Sequence, residues 1–174
     1  MGVKQRSQSL SLNLLHWTFF TALAVGILLS VLQVIYTAQQ VQHDIERDGQ
    51  RILTMFADPS RQALYNLDAD LAEQVVKGLL QHEAIHKVWI GHPDEIPLVE
   101  QQRPLQQGYF RLISDLFFAQ QRTYSLALEH VQPSGTEYYG DLDITLDTAP
   151  YGLSFIEESV IILVSGVLRA LALA

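Results

Sequence analysis

The sequence predicts an α+β chain: a long N-terminal transmembrane and membrane-proximal helix, a small antiparallel-sheet domain with flanking helices, and the start of a second apolar helix. Three observations predict it. All 19 carboxylates lie between Asp44 and Glu158, so both ends are apolar and free of acid. Residues 14–36 run for 23 positions without a charged side chain. Between the ends, the hydrophobic spacing changes from a helical period of three and four to strict alternation, the signature of strands.

A helix of about 1.5 Å rise per residue needs roughly 20 apolar residues to cross a hydrocarbon core of about 30 Å. Residues 14–36 meet that length, and residues 1–13 precede the crossing. The run exceeds the 7–15 residues of a typical signal-peptide core, and Ala22 to Ala24 is followed by more apolar residues, so an uncleaved anchor is expected. Lys4 and Arg6 lie before the run and Asp44, Glu46 and Asp48 after it, an asymmetry that places the N-terminus in the cytoplasm and residues 37–158 outside. That outer segment holds eight Lys and Arg against nineteen acids, a net charge of −11. Such a surface repels polyanions, which argues against a nucleic-acid partner.

Residues 159–174 form a second apolar run of 16 residues containing Arg169. It reads as the first part of a returning transmembrane helix, truncated at Ala174; the competing reading is an amphipathic or core helix packed on the domain.

Following the chain outward, Val31, Val34, Ala38, Val41, Ile45, Asp48, Ile52 and Met55 recur at alternating spacings of three and four. This heptad-like stripe suits either pairing with a second copy in a homodimer or packing on the chain's own domain. Ala22, Gly26 and Ser30 add a small-residue face inside the membrane run. Pro59, in a turn-like Asp58-Pro59-Ser60, is expected to close the helix.

A second helix follows over 70–80, with Leu71, Val75, Val76, Leu79 and Leu80 on one side. Residues 85–90 read as a strand stopped by Gly91-His92-Pro93-Asp94, and a loop then runs through Pro97 and Pro104. Residues 109–120 form another amphipathic helix carrying Phe110, Ile113, Leu116 and Phe117. Strands over 122–131 and 138–147 make a hairpin; in the second, Leu142, Ile144 and Leu146 face one way and Asp141, Asp143, Thr145 and Asp147 the other.

His82-Glu83-Ala84-Ile85-His86 fits the H-E-x-x-H pattern of zinc proteases, in which two histidines on one helix grip the metal and the Glu activates water. Here the pattern straddles a helix-to-strand change, so His82 and His86 are weak metal candidates and no metal or other cofactor is expected. Asp141-x-Asp143-x-Thr145 begins like a calcium loop but lacks its turn glycine and closing Glu. His16, His43 and His130 are isolated in sequence. Without cysteine, the chain holds no disulfide, Cys-ligated metal or thiol nucleophile. No nucleophile-and-base pattern or phosphate loop appears, so the expected role is non-catalytic. Tyr65, Trp89 and Tyr138, aromatics with polar tips, suit the wall of a small-ligand pocket, the competing reading being ordinary core packing.

The stretch from Phe56 through Asp58-Pro59-Ser60-Arg61 to Tyr65-Asn66-Leu67-Asp68 is one part of a wider pattern. Gly78-Leu79-Leu80, residues 88–93, Arg103-Pro104-Leu105, residues 137–142 and residues 165–171 complete it. Together they resemble the sensor segment of membrane-bound GGDEF-EAL proteins, BifA-type cyclic-di-GMP phosphodiesterases above all. A looser likeness extends to the CACHE-like or CHASE-like input regions of histidine kinases.

The resemblance implies a PAS- or CACHE-like sensor in the bacterial inner membrane, with residues 37–158 periplasmic. A small ligand or periplasmic partner would be sensed there, and the catalytic GGDEF and EAL domains, whose motifs do not occur in this chain, would follow it. Ala22, Gly26, Ser30, Val41, Ile45, Asp48 and Ile52 would carry the movement of the helices. A free-standing membrane scaffold or inhibitory fragment is the alternative class.

Overall fold

A computed structural model describes residues 3–108, 110–132 and 135–172. The described chain is α+β: four helices and one four-stranded antiparallel sheet. In chain order the elements are α1 (Val3–Asn66), α2 (Ala69–Leu79), β1 (Ile85–Gly91), β2 (Val99–Gln102), α3 (Arg111–Phe118), β3 (Gln121–Gln132), β4 (Gly135–Asp147) and α4 (Ala149–Ala172). The chain divides into two compact units. One is Val41–Ser154, slightly inside the expected 37–158; the other gathers the described parts of 1–40 and 155–174. Tyr109, Pro133, Ser134 and Ala174, which the sequence reading placed in a helix, a turn and a second apolar run, lie outside the described residues.

In the Val41–Ser154 unit the strand order is β2-β1-β4-β3. The long β3–β4 hairpin pairs from Gln121↔Asp147 to Gln132↔Gly135, and β4 also pairs with β1, Val88 opposite Ile144 and Ile90 opposite Leu142. The expected alternation in β4 holds: Leu142, Ile144 and Leu146 are fully buried, as are Ile85, Val88 and Ile90 of β1. Ile45, Ile52, Leu53, Ala63 and Leu64 of α1 and Ala72, Val75, Val76 and Leu79 of α2 are buried as well, as are Phe118 of α3 and Leu128 of β3. Burying a side chain of that size contributes about 1.5–3 kcal/mol, so this face of the sheet holds the unit together. Gly49 shows how closely α1 approaches: a Cβ there would lie 2.7 Å from the Tyr124 ring of β3.

Three expectations are corrected. Pro59 does not close the first helix, which runs on to Asn66. A proline inside a helix costs about 3 kcal/mol and frees one carbonyl. That carbonyl belongs to Met55, an exposed residue where water can take it up, and the turns beyond Pro59 bury Ser60, Ala63 and Leu64. The helix ends instead in a Schellman arrangement: Asp68 N–H donates to Ala63 O at 2.9 Å and Leu67 N–H to Leu64 O at 3.1 Å, with Leu67 left-handed at φ 52°. Asp68 then caps α2, accepting from Leu71 N–H at 2.9 Å.

Second, the segment through Pro97 and Pro104 is not loop throughout, because it contributes the edge strand β2. Third, the last helix starts at Ala149, ten residues before the apolar run begins. Asp147 is the reason. Placed by alternation on the polar side of β4, it is only 2% exposed and organises the junction. It accepts from Ala149 N–H at 3.1 Å and Gln106 N–H at 2.9 Å and pairs with Arg111 at 3.2 Å. Pro150 is tolerated because the first helical turn has no intrahelical acceptor to offer it. Over Ala149–Arg169 this helix is long and apolar enough to cross a membrane, as is the apolar part of α1 from His16 onward.

Candidate functional site

The last three turns of α1 present Asp58, Arg61, Gln62 and Tyr65 at i, i+3, i+4 and i+7, one face of one helix. Opposite stand His130 of β3 and Tyr139 of β4, and the six residues line a cleft of about 360 Å³. Tyr139 reaches it through a β-bulge. Pairing jumps from Leu128↔Gly140 to Glu129↔Tyr138, leaving Tyr139 without an opposite residue, and such a bulge re-aims the side chain it carries. Gly140 makes the bulge possible: its φ is 146°, and a Cβ there would run into the Gly91 carbonyl oxygen of β1.

The cleft walls are aromatic and its base is charged. Tyr65 and Tyr139 meet edge to face at 5.4 Å, and the His130 ring stacks on Tyr139 at 6.5 Å. Arg61 pairs with Asp58 at 2.6 Å, and its Nε is buried without a hydrogen-bond acceptor. Aromatic rings beside a charged Arg61–Asp58 pair suit a small ligand with a planar body and polar groups.

The three aromatics expected to wall one pocket go to three places. Tyr65 lines this cleft. Trp89 lies on the polar face of the sheet, in a groove with Lys87, Thr123, Asp143 and Thr145. There Lys87 pairs with Glu100 at 2.6 Å, and Thr123 and Thr145 share a hydrogen bond at 3.1 Å. Tyr138 packs against the His92 ring at 5.5 Å. Its phenol is pushed up to about 12 by desolvation and by the neighbouring Asp141, Asp143 and Asp94 carboxylates.

His82 and His86 do not share a helix. His82 lies in the turn after α2, its Nδ1 accepting from Ala84 N–H at 3.3 Å, while His86 is on β1, so the geometric premise of the zinc-protease pattern is not met. Among the described residues no three His, Asp or Glu gather where they could hold a metal. Arg103 instead organises this turn, donating to the carbonyls of Leu80, His82 and Glu83.

The expected transmission residues fall in two groups. Ile45 and Ile52 are buried within the single chain, Val41 and Asp48 are half-buried, and Asp48 accepts from the Tyr151 hydroxyl at 3.4 Å. This stripe therefore packs on its own fold. Within the other unit, Ser30 is buried and faces Gly166 of α4 so closely that a Cβ at Gly166 would collide with Ser30 Oγ. Ala22, Gly26 and Ser30 thus line a groove shared with Ile162, Ser165 and Gly166 of the same chain.

No protein-family model matches the chain, and comparison with curated proteins and with solved structures finds no significant match.

Proposed function

We propose that the chain is a non-catalytic transmembrane signal-input module, a PAS- or CACHE-like sensor of the bacterial inner membrane that regulates a cyclic-di-GMP phosphodiesterase output. Its N-terminus is cytoplasmic and the Val41–Ser154 unit periplasmic. One observation carries the reading: four of the six residues lining the cleft sit on α1, the helix that upstream carries the candidate membrane crossing. A ligand bridging Arg61 and Tyr65 to His130 and Tyr139 would bias how α1 packs on the hairpin. It acts only through unequal affinity for two packings.

The membrane assignment has its own support. Trp17, Phe20, Leu28, Leu29 and Leu32 are all at least half exposed, a surface that water does not tolerate over such a length and lipid does. Trp17 and Tyr36 bracket this surface. They are about 28 Å apart along a helix, the separation of the two interfacial aromatic belts. The Ser30–Gly166 approach supports a pair of crossing helices, since small residues let backbones close together where lipid gives no hydrophobic drive.

The test joins residues 1–174 to a GGDEF-EAL output module in cells and reads phosphodiesterase activity at matched membrane levels. Ser30→Leu, which forces the α1–α4 contact apart, and Arg61→Ala, which empties the base of the cleft, are each expected to shift output several-fold. Output equal to the parent for both variants would remove the sensor reading. The same variants ahead of a histidine-kinase output would show whether the input is specific to cyclic-di-GMP signalling.

A further inference from the structure

We infer that α3 is an interfacial helix: its outward face of Leu112, Ile113, Leu116 and Phe117 docks on the surface of the lipid bilayer that the chain spans. The inference rests on the membrane reading above and extends it to a second point of contact. The helix is amphipathic in an inverted sense. Its inward side is polar and buried: Ser114 is fully buried and donates to Thr148 O at 3.2 Å, and Arg111 reaches Asp147 and Asp115. Phe118 alone adds a buried apolar side chain. The outward side is apolar and exposed at Leu112 (82%), Leu116 (81%) and Ile113 (44%), while Phe117 at its edge already packs against Phe118. Leu112 and Leu116 are an i, i+4 pair with Ile113 on the adjacent track, so the three form one continuous stripe. Exposed apolar side chains grouped in this way mark a surface for contact.

Chain length indicates the partner. Gln42 donates to Phe117 O at 3.0 Å, fastening the end of α3 to α1. Gln42 is six residues beyond Tyr36, the end of the uncharged run, which along a helix is about 9 Å. On the other side Ser114 lies against the first turn of α4, where a Cβ at Gly152 would collide with it. Gly152 is seven residues before Ser159, where the second apolar run begins. α3 is thus fastened at two points to residues that lie, along the chain, six positions after one uncharged run and seven before the other apolar run. Headgroup depth is where an apolar helical face of this size is stable. The outward face carries no basic residue and the outer segment is strongly acidic, so the contact is apolar insertion rather than attraction to anionic lipid.

The test uses the full chain in vesicles of zwitterionic lipid, with single cysteines introduced into this cysteine-free sequence and labelled with a fluorophore. Leu112→Cys and Leu116→Cys report on α3, Leu28→Cys on the candidate crossing, and Ile96→Cys, 93% exposed on the β1–β2 connection, serves as the aqueous control. Quenchers are carried on lipids, one set in the headgroup region to read positions 112 and 116 and one on the acyl chains to read position 28. Labels at 112 and 116 are expected to be quenched several-fold more than the label at 96, with little change when anionic lipid is added. If the label at 28 is quenched by lipid-borne probes and those at 112 and 116 match the control, the docking inference is overturned and the membrane reading stands. If the label at 28 also matches the control, the membrane reading fails first. Disulfide crosslinking between two Leu116→Cys chains without lipid quenching would assign the stripe to a second copy and overturn the proposal.

Discussion

α2 and α3 are both short amphipathic helices of the same folded unit, yet they spend their apolar faces in opposite ways. α2 turns Ala72, Val75, Val76 and Leu79 inward on the β1–β2 side of the sheet. Its ends are finished too: Asp68 caps its first turn, Lys77 sits in its last, and Arg103 takes up the carbonyls beyond. α3 has no side-chain N-cap, ends on Ala119 with φ 62°, and exposes most of its apolar stripe. The difference shows that helical periodicity specifies a face but not its partner. α2 is stabilised by burying its apolar face in the fold, whereas α3 is held by polar contacts and the buried Phe118 and keeps Leu112 and Leu116 exposed.

That contrast predicts a graded set of mutational effects, read as thermal stability in mild detergent. Leu79→Ala removes a fully buried side chain from α2 and is expected to cost about 2–5 kcal/mol. A cost below that of an ordinary surface change would mean α2 is not part of the core. Asp68→Ala deletes the α2 cap and should cost about 1 kcal/mol. Leu112→Ala, at the same nominal hydrophobicity as Leu79, should change stability in detergent by no more than about 0.5 kcal/mol. A loss as large as that of Leu79→Ala would show that the stripe is buried in the folded chain and erase the distinction between the two helices.

The smallest effect concerns pH. With its phenol raised to about 12 from the ordinary 10, Tyr138 contributes stability that is present below pH 10 and lost as pH climbs toward 12. An ultraviolet titration of the parent against Tyr138→Phe isolates this phenol. Ionisation at the ordinary value would detach it from the Asp141, Asp143 and Asp94 cluster.

Much of the fold is legible in the residues, and the misses have physical causes. The alternation of Leu142, Ile144 and Leu146 announced β4 because a strand buried on one face has no other way to satisfy its pleat. β2 was hidden, since Val99-Glu100-Gln101-Gln102 is a short polar edge strand supported by its neighbour β1 rather than by its own pattern. The start of α4 was masked by Pro150, Gly152 and two glutamates, all acceptable once Asp147 supplies the helix with a first acceptor.

Ending α1 at Pro59 also concealed the cleft. With the helix carried through, the spacing of Asp58, Arg61, Gln62 and Tyr65 declares a single face. Tyr139 and His130 could not be found this way, because a bulge resets the register that brings them opposite that face. The stripe of α3 was recognisable as amphipathic through Ile113, Leu116 and Phe117, but its direction depends on Ser114 and Arg111 finding Thr148 and Asp147.

The central claim is that the folded unit lies across a membrane from the N-terminus. Fusing alkaline phosphatase after Gln120, between α3 and β3, tests it directly, because the enzyme acquires activity only in the periplasm. The account predicts an active fusion. An intact, membrane-associated fusion without phosphatase activity would contradict it.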